Sequence, residues 1–178
     1  MGGLSIITPT SIANTSGTAT ASGGLITFTG VTALSLNGVF TSTYNQYRIL
    51  VEMSSASNAT ITGRLRLAGT DNSAANSYIV QELNAASTSV TGVRTTSTQW
   101  SIWFYCYANT RNNVSIDMFS PAIAKETTFN AYNFYTTSQA GIALTAGVHN
   151  VTTAFDGVSF ISTQAITGTL SVYGYKKS

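Results

Sequence analysis

Charged residues are scarce in this sequence. Asp, Glu, Lys and Arg make up 8% of its 178 residues, whereas they supply about 25% of an ordinary soluble protein. The net charge is +2, and the eight Lys and Arg residues are scattered, so the chain lacks the clustered basic face that nucleic-acid binding requires. Because charge keeps proteins soluble and apart, the composition predicts no nucleic-acid partner and a surface that is covered in an assembly.

Groups that carry out catalysis or bind metal ions are also rare. Cys106 is the single cysteine, so no disulfide can form within the chain, and its apolar neighbours predict a buried thiol. His149 is the single histidine, and one His with one Cys is too few for a zinc site. The six carboxylates show no paired spacing, and no glycine loop with its lysine is present to bind phosphate. We therefore expect no cofactor, no metal and no enzymatic activity, and a hydrolase built on His149 and Asp156 is the least favoured function.

Long apolar stretches are absent as well. No run approaches the roughly 18 consecutive apolar residues of a membrane-spanning helix. The first residues, Met-Gly-Gly-Leu-Ser-Ile, lack the basic segment and apolar run of a secretory signal. We expect no membrane insertion.

The chain is rich in residues that favour strands. Apolar residues make up 43% of the sequence and aromatic residues 11%, with many Ser and Thr between them. Short alternating segments are separated by turn signals about every 8–12 residues, which is typical of sandwiches and barrels. We predict an all-β fold: an antiparallel β-sandwich, jelly-roll-like, over residues 25–178.

Two local pairings follow from the alternation. Residues 44–53 and 60–68 are predicted to form an antiparallel pair, with Arg64 and Arg66 pointing outward. Residues 155–175 are predicted to form a hairpin, because two extended segments flank a few small polar residues.

Residues 1–24 differ from the rest of the chain. They are rich in Ser, Thr, Ala, Asn and Gly and have little to bury. We predict an extended arm, and two interpretations remain open: a disordered terminus, or a segment that becomes ordered against a neighbouring subunit.

The aromatic residues are the candidate contact residues. Tyr and Trp suit both glycan binding and protein interfaces, because each has an apolar ring and a polar tip. The interface interpretation is favoured over glycan binding. The candidates are Trp103, Tyr105, Tyr107, Tyr132, Tyr135, Tyr173 and Tyr175.

Several segments together resemble a group of tailed-bacteriophage virion proteins, which occur as small structural proteins or as terminal domains of tail fibres. The similarity extends from about residue 25 to residue 175, and its last motif is Ile-Thr-Gly-Thr-Leu-Ser-Val-Tyr-Gly-Tyr at residues 166–175. The segments that carry it are residues 38–49, 64–72 with Tyr78, 116–121, 128–130, 149–157 and 166–175.

The resemblance implies a non-enzymatic, oligomeric β-sandwich located in the virion, and it transfers no catalytic residue. Fibre proteins usually carry a long shaft, whereas this chain has only its N-terminal arm, which favours a capsid decoration or cement protein, or a tail-accessory protein. We expect a homo-oligomer, with a trimer favoured, that contacts major capsid or tail proteins. The alternative is a glycan-binding module for attachment to the host surface.

Overall fold

The computed structural model describes residues 3–86, 88–136 and 140–176. These residues contain no helix, and therefore none that is long and apolar enough to cross a membrane. The strands are β1 (Leu4–Ile7), β2 (Ser11–Thr15), β3 (Thr18–Ser22), β4 (Leu25–Asn37), β5 (Tyr44–Ser55), β6 (Ala59–Leu67), β7 (Thr70–Asp71), β8 (Tyr78–Ala86), β9 (Ser89–Ser97), β10 (Trp100–Cys106), β11 (Asn112–Phe119), β12 (Thr127–Thr136), β13 (Ala140–His149) and β14 (Gly157–Lys176).

The strands form two antiparallel layers that share β4 and β14. The larger sheet has the order β9-β8-β13-β12-β11-β5, followed by residues 166–176 of β14 and 25–31 of β4, with β1 and β3 at the far edge. The smaller sheet contains β10, β6, residues 157–162 of β14, residues 33–36 of β4, and β2. Strand β10 packs across β8, β9 and β12 of the larger sheet. This arrangement confirms the predicted all-β antiparallel sandwich.

The hairpin predicted for residues 155–175 is wrong, because β14 is one strand of 20 residues. Its pairing register shifts between Ile161 and Ile166, and residues 163–165 (Thr, Gln and Ala) are exposed there. Strands that pass from one sheet of a sandwich to the other bend at such irregularities. Small polar residues mark a bend as readily as a turn, so the sequence pattern did not distinguish them. The predicted alternation is confirmed for Ile166, Leu170 and Val172, which are buried.

The predicted pairing of residues 44–53 with 60–68 is also wrong. Strand β14 lies between them: its first half pairs with β6 and its second half with β5. The alternation within β5 is nevertheless confirmed, since Tyr47, Ile49, Val51 and Met53 are all buried. Strand β6 differs from the prediction at its end, where Arg66 is buried.

The described part of the predicted arm belongs to the chain's own sandwich. Strands β2 and β3 pair with β4, and β1 pairs with β14. Backbone hydrogen bonds to β4 and β14 order these residues without large side chains. Gly17 makes the turn between β2 and β3 at φ +56°, and a Cβ there would lie 2.0 Å from the Thr29 carbonyl oxygen.

An aromatic cluster fills the space between the layers. Trp103 of β10 stacks on Phe160 of β14, with ring centroids 4.9 Å apart and planes 12° from parallel. Trp100 and Phe129 meet edge to face at 4.8 Å, which joins β10 to β12 of the opposite sheet. The pairing of β10 with β6 is irregular between Trp100 and Phe104. This irregularity brings Trp103 into the core although strict alternation placed it on the other face.

Candidate functional site on the outer face of the larger sheet

The seven predicted contact residues fall into three groups in the structure. Trp103 is completely buried, so its assignment as a surface contact is wrong. The irregular pairing of β10 with β6 turns its side chain into the core. Tyr105, Tyr107 and Tyr135 gather around polar groups of β8. Tyr132, Tyr173 and Tyr175 lie on the face of the larger sheet that points away from the smaller sheet, which we call the outer face.

The Tyr105 group is engaged within the chain. The Tyr135 hydroxyl donates a hydrogen bond of 2.6 Å to Asn84 Oδ1, and its ring stacks on Tyr107 at 4.4 Å. The Tyr105 hydroxyl donates to Glu82 Oε1 at 3.2 Å. Burial of the Glu82 carboxyl raises its pKa, and the hydrogen bonds from Asn84 and Tyr105 oppose that shift. The hydroxyls of Tyr105 and Tyr135 are therefore engaged with polar side chains of β8, while the half-buried Tyr105 and Tyr107 also line a pocket of about 230 Å³ with Asn58 and Thr60.

The outer face carries most of the exposed apolar side chains. Twelve large apolar side chains of the described residues are well exposed, and the ladder registers place ten of them on this face. Exposed apolar side chains concentrated on one face are a feature of interaction sites in other proteins. The ten are Leu4, Ile6, Leu25, Leu50, Leu83, Val90, Tyr132, Phe134, Ile142 and Leu144.

A ridge rises at the centre of the outer face. It consists of Tyr132 and Phe134 on β12 and their cross-strand partners Leu144 and Ile142 on β13. Phe134 is 58% exposed, the largest value in the ridge. Strand β13 points Ile142 and Leu144 outward and the small Gly141, Ala143 and Thr145 inward, so its outer face is the more apolar one.

A groove of about 360 Å³ runs beside the ridge, over β5 and β11. Tyr132 and Phe134 form one wall and Tyr173 of β14 lines the opposite side. The floor contains Leu50 and the small polar side chain of Ser115; its other lining residues include Glu52, Asn113, Thr169 and Ser171. The groove is shallow and open because β11 has only short side chains facing outward at this point.

The charges bordering the groove are paired. Arg48 donates two hydrogen bonds to Asp117, from Nε to Oδ1 at 2.8 Å and from Nη2 to Oδ2 at 2.7 Å. The hydrogen bond to Asp117 raises the pKa of Arg48 further, so the guanidinium stays charged. A looser pair joins Arg111 Nε to Glu52 Oε1 at 3.4 Å. The outer face is therefore close to neutral.

A second polar cluster lies on the outside of the smaller sheet, where the β6–β7 turn covers it. Arg66 donates hydrogen bonds to Ser159 Oγ at 2.8 Å, Ser35 Oγ at 3.0 Å and Asn37 Oδ1 at 3.0 Å, and it also bonds Asp71 Oδ1. Ser159 Oγ donates to the same Asp71 oxygen at 2.7 Å. The cluster is internally satisfied, and it ties β4, β6, β7 and β14 together.

Metal-binding groups do not converge in the part of the chain that the structure describes. No group of three or more His, Cys, Asp or Glu side chains in those residues could hold a metal ion. Cys106 is buried as predicted, and burial raises the pKa of its thiol to about 11. His149 packs against the rings of Tyr78 and Phe155, with centroids 4.2 Å and 5.0 Å away.

His149 should make stability depend on pH. Burial lowers the pKa of His149 from 6.5 to about 4, so between these values the unfolded chain binds a proton that the folded chain does not. The free energy of unfolding is not reduced by this effect above pH 6.5, and it falls as pH decreases from 6.5 through 4. At about 1.4 kcal/mol per pKa unit, the loss reaches about 3 kcal/mol. Urea unfolding of the wild type and His149→Gln at several pH values tests this. The wild type should lose stability relative to the variant below pH 6.5, and parallel pH profiles would contradict the prediction.

Sequence reasoning missed Leu50, Leu83, Phe134, Ile142 and Leu144 as contact residues. A signal was present, because β12 and β13 each carry large apolar side chains on the face opposite their core residues. Alternation alone, however, did not reveal which face of each strand the second layer covers.

No family model matches this chain, and no curated protein matches it. Two solved structures are similar to it. The carbohydrate recognition domain of Emp47p, in monoclinic crystal form 1, has a TM-score of 0.35 and 8% identity, and the match covers 94% of this chain and 90% of that chain. A protein of unknown function, SO2946 from Shewanella oneidensis MR-1, has a TM-score of 0.30 and 9% identity over 98% of this chain and 80% of that chain. Scores this low carry no conclusion about function.

Proposed function

We propose that this chain is a bacteriophage virion structural protein, a capsid decoration or cement protein or a tail-accessory or fibre protein, that assembles through subunit contacts. The observation that supports it is the outer face, where ten exposed apolar side chains share one nearly neutral surface. The low charge of the chain and the resemblance of residues 25–175 to phage virion proteins support the same proposal. The role is assembly in the virion, without enzymatic turnover, and the partners are further copies of the chain, with a trimer still a prediction, and capsid or tail proteins.

The ridge and Leu50 in the floor of the groove are together large enough to sustain such contacts. Leu50, Tyr132, Phe134, Ile142 and Leu144 are each 40–58% exposed, so each can still bury about half of its surface. Full burial of one such side chain contributes roughly 1.5–3 kcal/mol. Covering five half-buried side chains on both partners therefore contributes roughly 7–15 kcal/mol, which is comparable to the roughly 4–15 kcal/mol cost of association.

Phe134→Asp should separate assembly from folding. The aspartate lies on the exposed ridge, so the fold should be retained, while a charge at the contact should weaken association at least about tenfold, the equivalent of 1.4 kcal/mol. Incorporation into particles is measured by mass spectrometry of purified virions from cells that express the phage genes with either version of the chain. Leu67→Asp is the matched control, because Leu67 is 45% exposed on the smaller sheet.

The proposed function predicts that the wild type and Leu67→Asp are present in particles and that Phe134→Asp is depleted. Circular dichroism and thermal unfolding test whether each variant is folded. Absence of the wild-type chain from purified particles, or equal incorporation of Phe134→Asp, would overturn the proposal.

A second candidate function is glycan binding, and the groove favours it. Two tyrosine rings, Tyr132 and Tyr173, flank small polar side chains such as Ser115 and Ser171, and aromatic rings beside hydrogen-bonding groups suit sugar recognition. Under this alternative, Tyr132→Ala and Tyr173→Ala abolish binding to host surface glycans on an array while the solution mass of the protein stays unchanged. Loss of self-association in the same variants, without any glycan signal in the wild type, would exclude it.

A further inference from the structure

The ridge and the groove lie side by side on one face of one sheet. A second copy whose ridge enters this groove must turn its own outer face toward this chain. Its groove then lies opposite this chain's ridge, so both contacts form at once and the interface has two-fold symmetry. We propose that the outer face binds the outer face of a second copy, about a two-fold axis that is parallel to the strands and passes between β11 and β12. This inference rests on the proposed function, because it names the partner of the same surface, and at this surface it replaces the predicted trimer with a two-fold pair.

The ladder registers determine which residues face each other in this pair. The axis lays β11 over β12 of the second copy, β5 over β13, and β14 over β8. Since the axis runs along the strands, residues that are cross-strand partners within one sheet remain at the same level in both copies. The facing pairs are Ser115 with Tyr132, Asn113 with Phe134, Leu50 with Leu144, Ser171 with Leu83, and Arg48 with Ala146.

Large side chains meet small ones in four of these five pairs. Tyr132 and Phe134 extend over Ser115 and Asn113, which line the groove. Close packing of two sheet faces requires this alternation of large and small residues. The fifth pair, Leu50 with Leu144, joins two apolar side chains that are each about 40% exposed in the single chain.

The other simple two-fold arrangement packs poorly. An axis in the plane of the sheet but perpendicular to the strands lays each strand across its own copy. Tyr132 of one copy would then collide with Tyr132 of the other, and the two grooves would face each other across an unfilled space. The parallel axis is therefore the one that fills the groove.

The positions of the charged residues beside the groove are also compatible with pairing about the axis parallel to the strands. The Arg48–Asp117 pair faces Ala146 and Asn130 of the second copy, and Glu52 faces Ile142 while its carboxylate remains near Arg111 at the rim. Charges of the same sign do not oppose one another at these positions. Such opposition would select against the pairing.

The available area matches a stable pair. The outer face from β14 to β8 spans six strands, each about 4.8 Å wide, and eight-residue stretches at about 3.3 Å per residue give a footprint of roughly 750 Å². A standard specific interface buries about 800 Å² per partner.

Cross-linking of two single-cysteine substitutions tests the axis. Leu50→Cys and Leu144→Cys are made in separately tagged full-length chains, mixed, and treated with a bis-maleimide whose reach is about 10 Å, the spacing of packed sheets. The parallel axis places Leu50 opposite Leu144 of the second copy, whereas the two copies of Leu50 lie three strands apart, about 14 Å in the plane of the sheet. The native Cys106 is buried, so the wild type is the background control, and Leu50→Cys mixed with Leu67→Cys is the control for random collision.

The proposal predicts that the mixture forms cross-links between Leu50→Cys and Leu144→Cys several-fold above each variant alone and above both controls. Cross-links mainly between two copies of Leu50→Cys, or between two copies of Leu144→Cys, would overturn the parallel axis in favour of the perpendicular one. A monomeric wild type at all concentrations would overturn self-pairing. If that monomer is still incorporated into virions through Phe134, the proposed function stands and the partner is a different protein. If it binds glycans, the second candidate function replaces both.

Discussion

Trp103→Ala is expected to destabilise the protein by about 3–5 kcal/mol, the usual cost of removing a buried large aromatic side chain. Trp103 is completely buried and its ring stacks on Phe160 at 4.9 Å. Its ring also packs against those of Phe104 and Phe129, with centroids 5.7 Å and 5.8 Å away, so it joins both layers of the sandwich. Gly63 leaves room for the ring, because a Cβ on Gly63 would lie 2.2 Å from a ring carbon of Trp103. The neighbouring backbone is shaped to this side chain and cannot easily close the cavity.

Urea unfolding followed by circular dichroism measures this loss. Trp103→Phe is the graded control, since it retains a ring against Phe160 and should lose clearly less stability than Trp103→Ala. An unfolding free energy within about 0.5 kcal/mol of the wild type, the range of ordinary surface substitutions, would mean that Trp103 lies on the surface, as the sequence pattern first predicted.

Arg66→Met is expected to have the second large effect. It should lower the free energy of unfolding by about 3 kcal/mol. Removing one member of a buried ion pair leaves the other charge without its partner, which costs about 3–5 kcal/mol when both members are fully buried. The side chain of Arg66 is 9% exposed, but that of Asp71 is 25% exposed, so water screens Asp71 in part and the lower end applies. Ser159 also loses a partner, although its hydroxyl still bonds Asp71.

A double-mutant cycle separates the charge effect from lost packing. In Arg66→Met with Asp71→Asn no unpaired carboxylate remains, so the double variant should be more stable than Arg66→Met alone. The coupling energy should lie in the range of about 0.5–3 kcal/mol seen for contacting residues. Additive losses in urea unfolding would show that the pair contributes through packing only.

The outer face and the core of β13 show why the site was only partly predictable. Residues 140–149 alternate as a strand should, and the larger residues of that alternation would ordinarily be assigned to the core. The structure points Ile142 and Leu144 outward instead. Gly141 and Ala143 face the interior because the ring of Tyr135 fills the space beside Gly141, where a Cβ would meet it at 2.1 Å. The orientation of β13 thus depends on a neighbour's bulk, which alternation in β13 alone does not reveal.

Local composition determined the class of this protein. Alternating β-branched and aromatic residues specify strands, scarce charge specifies a surface suited to contacts, and single copies of Cys and His limit the chemistry available. These properties depend on neighbouring residues only, so the sequence by itself was sufficient for the all-β sandwich, the buried Cys106 and the alternation of β5 and β14.

Tertiary structure alone decided which strands are neighbours and which faces are covered. Strand β14 separates β5 from β6, the irregularity in β10 turns Trp103 inward, and the smaller sheet covers only one side of the larger. Each of these depends on contacts between residues far apart in the chain, whose free energies are absent from any local pattern. The ridge and groove are exposed because the smaller sheet packs on the opposite face of the larger sheet, so the surface proposed for assembly is a product of the fold rather than of any single segment.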